Sequence, residues 1–146
     1  MQLDGLHHVT AVSGTISNNV KFFTQVLGLR LVKKSVNQDD VSAYHLFYAD
    51  KVGTPGTDMT FFDWPRMGPD QRGTDSIAGT AFRVNGREAL DFWAGRLAGM
   101  DVRNIEAGEF AGRALLSFED PEGQRLYLVD DEGAPFEGEL WLRSDI

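Results

Sequence analysis

A repeat with an offset of 70 residues restricts what this chain can fold into more than any other feature. In SNNVKFFTQVLG, Val20, Phe23 and Leu27 stand at i, i+3 and i+7, with Ser17 placed as an N-cap and Gly28 just past the last turn. In REALDFWAGRLAG, Leu90, Trp93 and Leu97 repeat that spacing, and Phe92-Trp93 falls on Phe22-Phe23. Each helical stretch follows one strand-like run and precedes three. The first set is the run Leu6 to Val12, then LRLVKKSVN, AYHLFYAD and DMTFFDW; the second is SIAGTAFRV, then DVRNIEAG, RALLSFED and QRLYLVDD. Asp50 and Gly53 meet Asp120 and Gly123 at the same offset, which shortens by three once VGTPGT is replaced by PEG. The pattern predicts an α+β fold of two βαβββ modules in tandem, over 1–66 and 76–136. MGPDQRGTD, Met67 to Asp75, reads as the linker, and 137–146 as a C-terminal tail.

Composition narrows the function classes. A net charge of -8 repels phosphate backbones and anionic membrane surfaces, so neither nucleic acid nor a membrane is the expected partner. No apolar run reaches the roughly 18 residues a spanning helix needs, and MQLDGLHH lacks the basic and apolar regions of a signal peptide, so a cytoplasmic protein is expected. The chain has no cysteine, which leaves His, Asp and Glu as the only strong metal ligands.

Two of the three histidines are adjacent, in GLHHVTAVSG. Strand alternation puts Leu6, His8 and Thr10 on one face and His7, Val9 and Ala11 on the other. His8 then reads either as a hydrogen-bonded core histidine or as a metal ligand. His45, inside YHLFY, has no carboxylate at a recognisable spacing and reads as structural or as a support to a site.

GLHHVT, LGLRLVKKSVNQDD, YHLFYAD and GTPGTDMTFFDWP, in that order, resemble the vicinal oxygen chelate superfamily of glyoxalases, bleomycin-resistance proteins and extradiol dioxygenases. Within it they are most similar to ring-cleaving dioxygenases that act on hydroquinones. The resemblance covers essentially the whole chain. It implies curved mixed sheets forming a cup, Fe(II) as cofactor, a small aromatic substrate and O₂. It also implies that His8 binds iron while His7 and Thr10 orient ligands and bound oxygen, and it offers Phe61, Phe62 and Trp64 as apolar walls for the ring. Those three also read as plain core strand.

The repeat allows the superfamily's other ligand positions to be checked. GLHHVT against SIAGTA puts Gly79 where His8 stands, and DMTFF against RLYLV puts Phe61 and Leu128 where the resemblance places the acidic ligand. Of these four positions only His8 can bind a metal, whereas non-heme Fe(II) chemistry wants two histidines and a carboxylate. Asp130, Asp131 and Glu132 fall in the turn after the last strand and read as solvated charge. The resemblance implies proteins about twice as long, whose second half supplies the missing histidine and glutamate, so the chain reads as an N-terminal domain. It should either self-associate as a homo-oligomer or pair with that absent half. Two rivals are a metal-free small-molecule binding module of bleomycin-resistance type, and a glyoxalase-like lyase or isomerase using another divalent metal.

Overall fold

The computed structural model describes residues 5–38 and 41–140. The first module comprises β1 (His8–Ser13), α1 (Ile16–Lys21, continued by a π-helical turn over Phe22–Val26), β2 (Arg30–Val36), β3 (Tyr44–Ala49) and β4 (Asp58–Asp63). The second comprises β5 (Thr80–Val84), α2 (Arg87–Ala98), β6 (Arg103–Phe110), β7 (Arg113–Glu119) and β8 (Arg125–Asp130). Each module is a four-stranded mixed sheet, ordered β1-β4-β3-β2 and β5-β8-β7-β6. In each, the first strand runs parallel to the last and the remaining pairs are antiparallel. The register repeats as well. Ala11 pairs with Phe61, Phe82 pairs with Leu128, and Leu46 and Leu116 face those two partners from the third strands.

One sheet face in each module buries the helix. In the first, Phe23, Tyr48 and Phe61 are fully buried, with the Phe23 ring 5.1 Å from Tyr48 and 4.8 Å from Phe61. The Tyr48 hydroxyl donates to Asn19 Oδ1 at 2.9 Å, and burial pushes its pKa upward. In the second module Leu90 and Leu97 of α2 are buried, as are Leu116, Phe118, Leu126 and Leu128 of the sheet.

The first helix departs from the simple spacing. Its N-cap is Thr15, whose carbonyl accepts from Asn18 and Asn19, so Ser17 lies inside the helix rather than capping it. The Leu27 amide then reaches back five residues to the Phe22 carbonyl at 3.0 Å. That wider turn lets adjacent Phe22 and Phe23 both be buried, which a regular helical stripe of 100° per residue does not favour.

The boundary regions are tied to the modules. The chain divides into two compact units, one ending at Gly68 and regaining the chain from Glu137, the other spanning Pro69–Phe136. The segment read as a linker is engaged by the second unit: the Asp70 amide donates to the Glu122 carbonyl at 3.1 Å, and Arg72 pairs with Glu119. The segment read as a tail returns to the first, where Lys51 N donates to Glu139 O at 2.9 Å and Glu139 N to Asp50 Oδ2 at 2.8 Å.

Candidate functional site

The strand register assigns side chains to faces. Along β1, His8 pairs with Asp58, Thr10 with Thr60 and Val12 with Phe62; across β3, His45 pairs with Phe62 and Phe47 with Thr60. Paired residues share a face, so His8, Thr10, Asp58, Thr60, Phe62, His45 and Phe47 all lie on the side of the sheet away from α1. The expected alternation of His8 with Thr10 is what the strand shows.

His7 immediately precedes the first residue of β1. Its carbonyl accepts from the Gly56 amide at 2.6 Å, and Gly56 has φ +92, a conformation that suits glycine. The loop before β4 thus grips the chain just ahead of the ligand candidate. The His7 and His8 rings meet edge-on, with their Nδ1 atoms 3.1 Å apart. Two Nδ1 atoms at that distance share one proton. A His8 that binds a ligand through Nε2 therefore donates from Nδ1 to His7, and His7 holds that tautomer and ring angle. Both rings are exposed.

Asp58 is the neighbour that alternation along β1 alone does not reveal. Its Oδ1 is buried without a hydrogen-bond partner. Burial raises its pKa, a shift eased by the nearby His7 and His8 and reinforced by Asp50.

Deeper on the same face the side chains form a chain of hydrogen bonds. His45 Nε2 lies 3.1 Å from Thr60 Oγ1, and that hydroxyl donates to Thr10 Oγ1 at 2.9 Å. His45 is also part of a run of rings: 4.1 Å from Phe47, 4.1 Å from Phe62, with Phe62 stacked on Trp64 at 5.7 Å and 14°. Burial, then the charges of His8 and Lys33, lower the His45 pKa and favour its neutral form.

Phe61 does not belong to this face. It sits fully buried against Phe23 and Tyr48 on the helix side, so of the three expected ring walls only Phe62 and Trp64 remain, and Phe47 joins them. The same parity corrects the positions assigned to an acidic ligand. On the last strands the residues next to Phe61 and Leu128 that lie on the His8 face and its counterpart are Thr60 and Tyr127, one place earlier, while the acid on that face, Asp58, stands three places before Phe61. Neither Thr60 nor Tyr127 is acidic.

In the second module the position matching His8 is closed. A Cβ on Gly79 would lie 2.6 Å from Tyr127 Cε2 and 2.9 Å from the Arg125 carbonyl oxygen. Of the three acids expected in the turn after the last strand, Asp130 is the final residue of β8, and the three are not uniformly solvated. Asp130 Oδ1 accepts from the Gly86 amide at 3.0 Å at the start of α2, and buried Asp131 takes Arg83 at 2.9 Å; only Glu132 is exposed. For Asp131, burial would raise the pKa, but the Gly133 amide and Arg83 outweigh it and hold the carboxylate low. Among the described residues no group of three or more His, Asp or Glu is placed to hold a metal ion. His8 and Asp58 are adjacent in register, yet these residues do not complete the ligand set that a non-heme iron requires.

Comparison with known proteins places this arrangement. Residues 5–128 match the model of the Glyoxalase/Bleomycin resistance protein/Dioxygenase superfamily. The chain belongs to that superfamily. Among its members, the Bacillus subtilis (strain 168) protein named "Putative ring-cleaving dioxygenase MhqA" is 48% identical over 132 residues, covering 90% of this chain and 42% of the relative. The Chlorohydroquinone/hydroquinone 1,2-dioxygenase of Sphingobium indicum is 32% identical over 123 residues, covering 83% of this chain and 38% of the relative. A crystal structure of a Bacillus subtilis protein described as a dioxygenase superposes with a TM-score of 0.80 at 39% identity, over 88% of this chain and 41% of that one. The chain thus spans less than half the length of each of these three relatives. No helix among its described residues is long and apolar enough to cross a membrane.

Proposed function

We propose that the chain is the His8-bearing, amino-terminal part of an Fe(II)-dependent dioxygenase that opens hydroquinone-type rings in the cytoplasm. The observation that carries this reading is the pairing, on one sheet face, of an exposed His8 with a stacked run of rings, Phe47, His45, Phe62 and Trp64. The names of the relatives support it. Iron would bring a substrate hydroxyl and O₂ together. The described residues complete no site for it, so the other ligands come from elsewhere. This chain's own part is to present His8 in the tautomer that His7 holds, to stack the ring on Phe62 and Trp64, and to offer the Thr10 hydroxyl to a ligand oxygen.

A second reading has its own observation. An aromatic face with no complete metal set suits a metal-free module that binds a small aromatic molecule.

One experiment separates them: anaerobic Fe(II) loading, desalting, metal analysis and oxygen uptake on hydroquinone and chlorohydroquinone, for this chain and for the longest product of its gene. The chain alone should retain well under one iron. In an active longer product, His8→Ala should abolish iron retention and oxygen uptake with the fold intact, whereas His7→Ala should keep much of the iron and slow turnover roughly 10 to 100-fold. Stoichiometric iron on the chain alone would refute the incomplete site. Ligand binding without oxygen uptake in every form would favour the metal-free module.

A further inference from the structure

The hydroxyl of Thr60 has one proton, and it goes to Thr10. The contact between Thr60 and His45 Nε2 must then be made by a proton on the histidine, which makes neutral His45 the Nε2–H tautomer. Thr10, having accepted from Thr60, keeps its own proton to give away. It is exposed, two residues along the same strand face from His8. The three groups therefore form a one-way chain: His45 Nε2–H to Thr60, Thr60 to Thr10, Thr10 outward. Each donation polarises the next hydroxyl in a partly buried setting, and Thr60 is fully buried.

We propose that His45 and Thr60 are positioning residues that orient the Thr10 hydroxyl as a hydrogen-bond donor toward an anionic oxygen, the phenolate of an aromatic ligand lying on the Phe62–Trp64 stack. This rests on the aromatic-ligand part of the function proposed above. Of the charged groups on this face, Lys33 lies 5.6 Å over the neighbouring Phe47 ring and favours an anion, while Asp58, the one carboxyl the register places there, pairs with His8 and lies outside the hydrogen-bond chain. Without His45, Thr60 would lose the group that occupies its acceptor side and could turn its proton elsewhere, leaving Thr10 unoriented.

The test compares 4-nitrophenolate, at a pH where it is ionised, with nitrobenzene, which keeps the ring and lacks the oxygen. Binding is read by quenching of tryptophan fluorescence, with the chain at full length. Thr10→Val should weaken 4-nitrophenolate about tenfold, and Thr60→Val and His45→Phe by about three- to tenfold, with nitrobenzene unchanged in all three. Thr60→Ser and His45→Gln, which keep a hydroxyl and a side-chain N–H, should stay within about twofold of the parent. Loss of affinity for both ligands alike, or equal behaviour of His45→Phe and His45→Gln, would overturn the inference and leave the aromatic site standing. Failure of the parent chain to bind either ligand would overturn both. Nitrogen NMR of the His45 ring gives an independent check: a bare Nε2 would reverse the chain and refute the assignment.

Discussion

Replacing Gly79 with alanine probes why the second module carries no counterpart of His8. The new Cβ would sit 2.6 Å from Tyr127 Cε2, 2.9 Å from Arg125 O and 3.3 Å from Arg125 Cβ. Ordinary carbon contacts begin near 3.5 Å, so all three atoms must retreat, Tyr127 Cε2 and the Arg125 oxygen the furthest. The Tyr127 ring is half-buried at the open face and can pivot. The Arg125 carbonyl belongs to β8, which is hydrogen-bonded to β5 on one side and β7 on the other, so it moves only with the sheet. Overpacking of this kind costs about 1–3 kcal/mol. For a chain of this size that is roughly a 3–9 °C fall in melting temperature. Gly95→Ala is the matched control. It lies in α2 with nothing within 4 Å of its would-be Cβ, and should gain about 0.5–1 kcal/mol from helix propensity. Differential scanning calorimetry of both variants and of Gly79→Ala in a Tyr127→Ala background completes the test. In that background the penalty should shrink but persist, because the carbonyl remains. A Gly79→Ala protein as stable as its parent would refute the view that this position is closed, and with it the structural reason for a single-histidine site.

Further expectations concern the two matched aspartates and the two adjacent phenylalanines. Burial, only partly offset by the Gln124 and Glu122 amides, raises the Asp120 pKa to about 6, so its proton is held more tightly in the folded chain than in the unfolded one. That contribution to stability is present below the unfolded value and is lost as pH rises through about 6. Between pH 5 and pH 7 it falls by about 1.4 kcal/mol, a slope that denaturant titration should find in the parent and not in Asp120→Asn. At Asp50 burial acts in the same upward direction, but amides of Val52, Gly53, Thr54 and Glu139 bond to its two oxygens and hold the pKa low. Asp50→Ala should cost about 2 kcal/mol or more and speed hydrogen exchange at the Glu139 amide, a link that unchanged exchange would disprove. Phe61→Ala should cost about 3–5 kcal/mol by chemical unfolding, and Phe62→Ala markedly less while weakening aromatic ligands; equal costs would contradict the assignment of faces.

Much of the fold was legible because duplication shows each pattern twice. The helices and the β-α-β-β-β succession of each module follow from repeated spacing, and α2 begins and ends where its periodicity does; the mixed sheets were implied by the family resemblance, and the pairing of first with last strand came with the structure. The π-helical turn at Phe22 to Val26 was not legible, since it depends on how Tyr48 and Phe61 receive two adjacent rings. Face assignment failed at one point for a simple reason. Period-two alternation says which residues of β4 share a face, but only the β1 register says which face is which. Counting across from His8 to Asp58 and Thr60 would have removed Phe61 from the ring walls and brought in Asp58. The His45 link to Thr10 spans three strands and passes through a buried threonine, so no local pattern signals it.

The return of the chain at Glu139 has a consequence for how the molecule comes apart. Because the hydrogen bonds of the Lys51 amide and the Asp50 carboxylate with Glu139 fasten the segment after the second module to the first, the second module is an insert in the chain, carried on two tethers. A protease that cuts once near Gly68 severs one tether and leaves the other; a second cut, around Phe136, would break the last covalent link, while the two pieces of the His8 module stay fastened through Glu139.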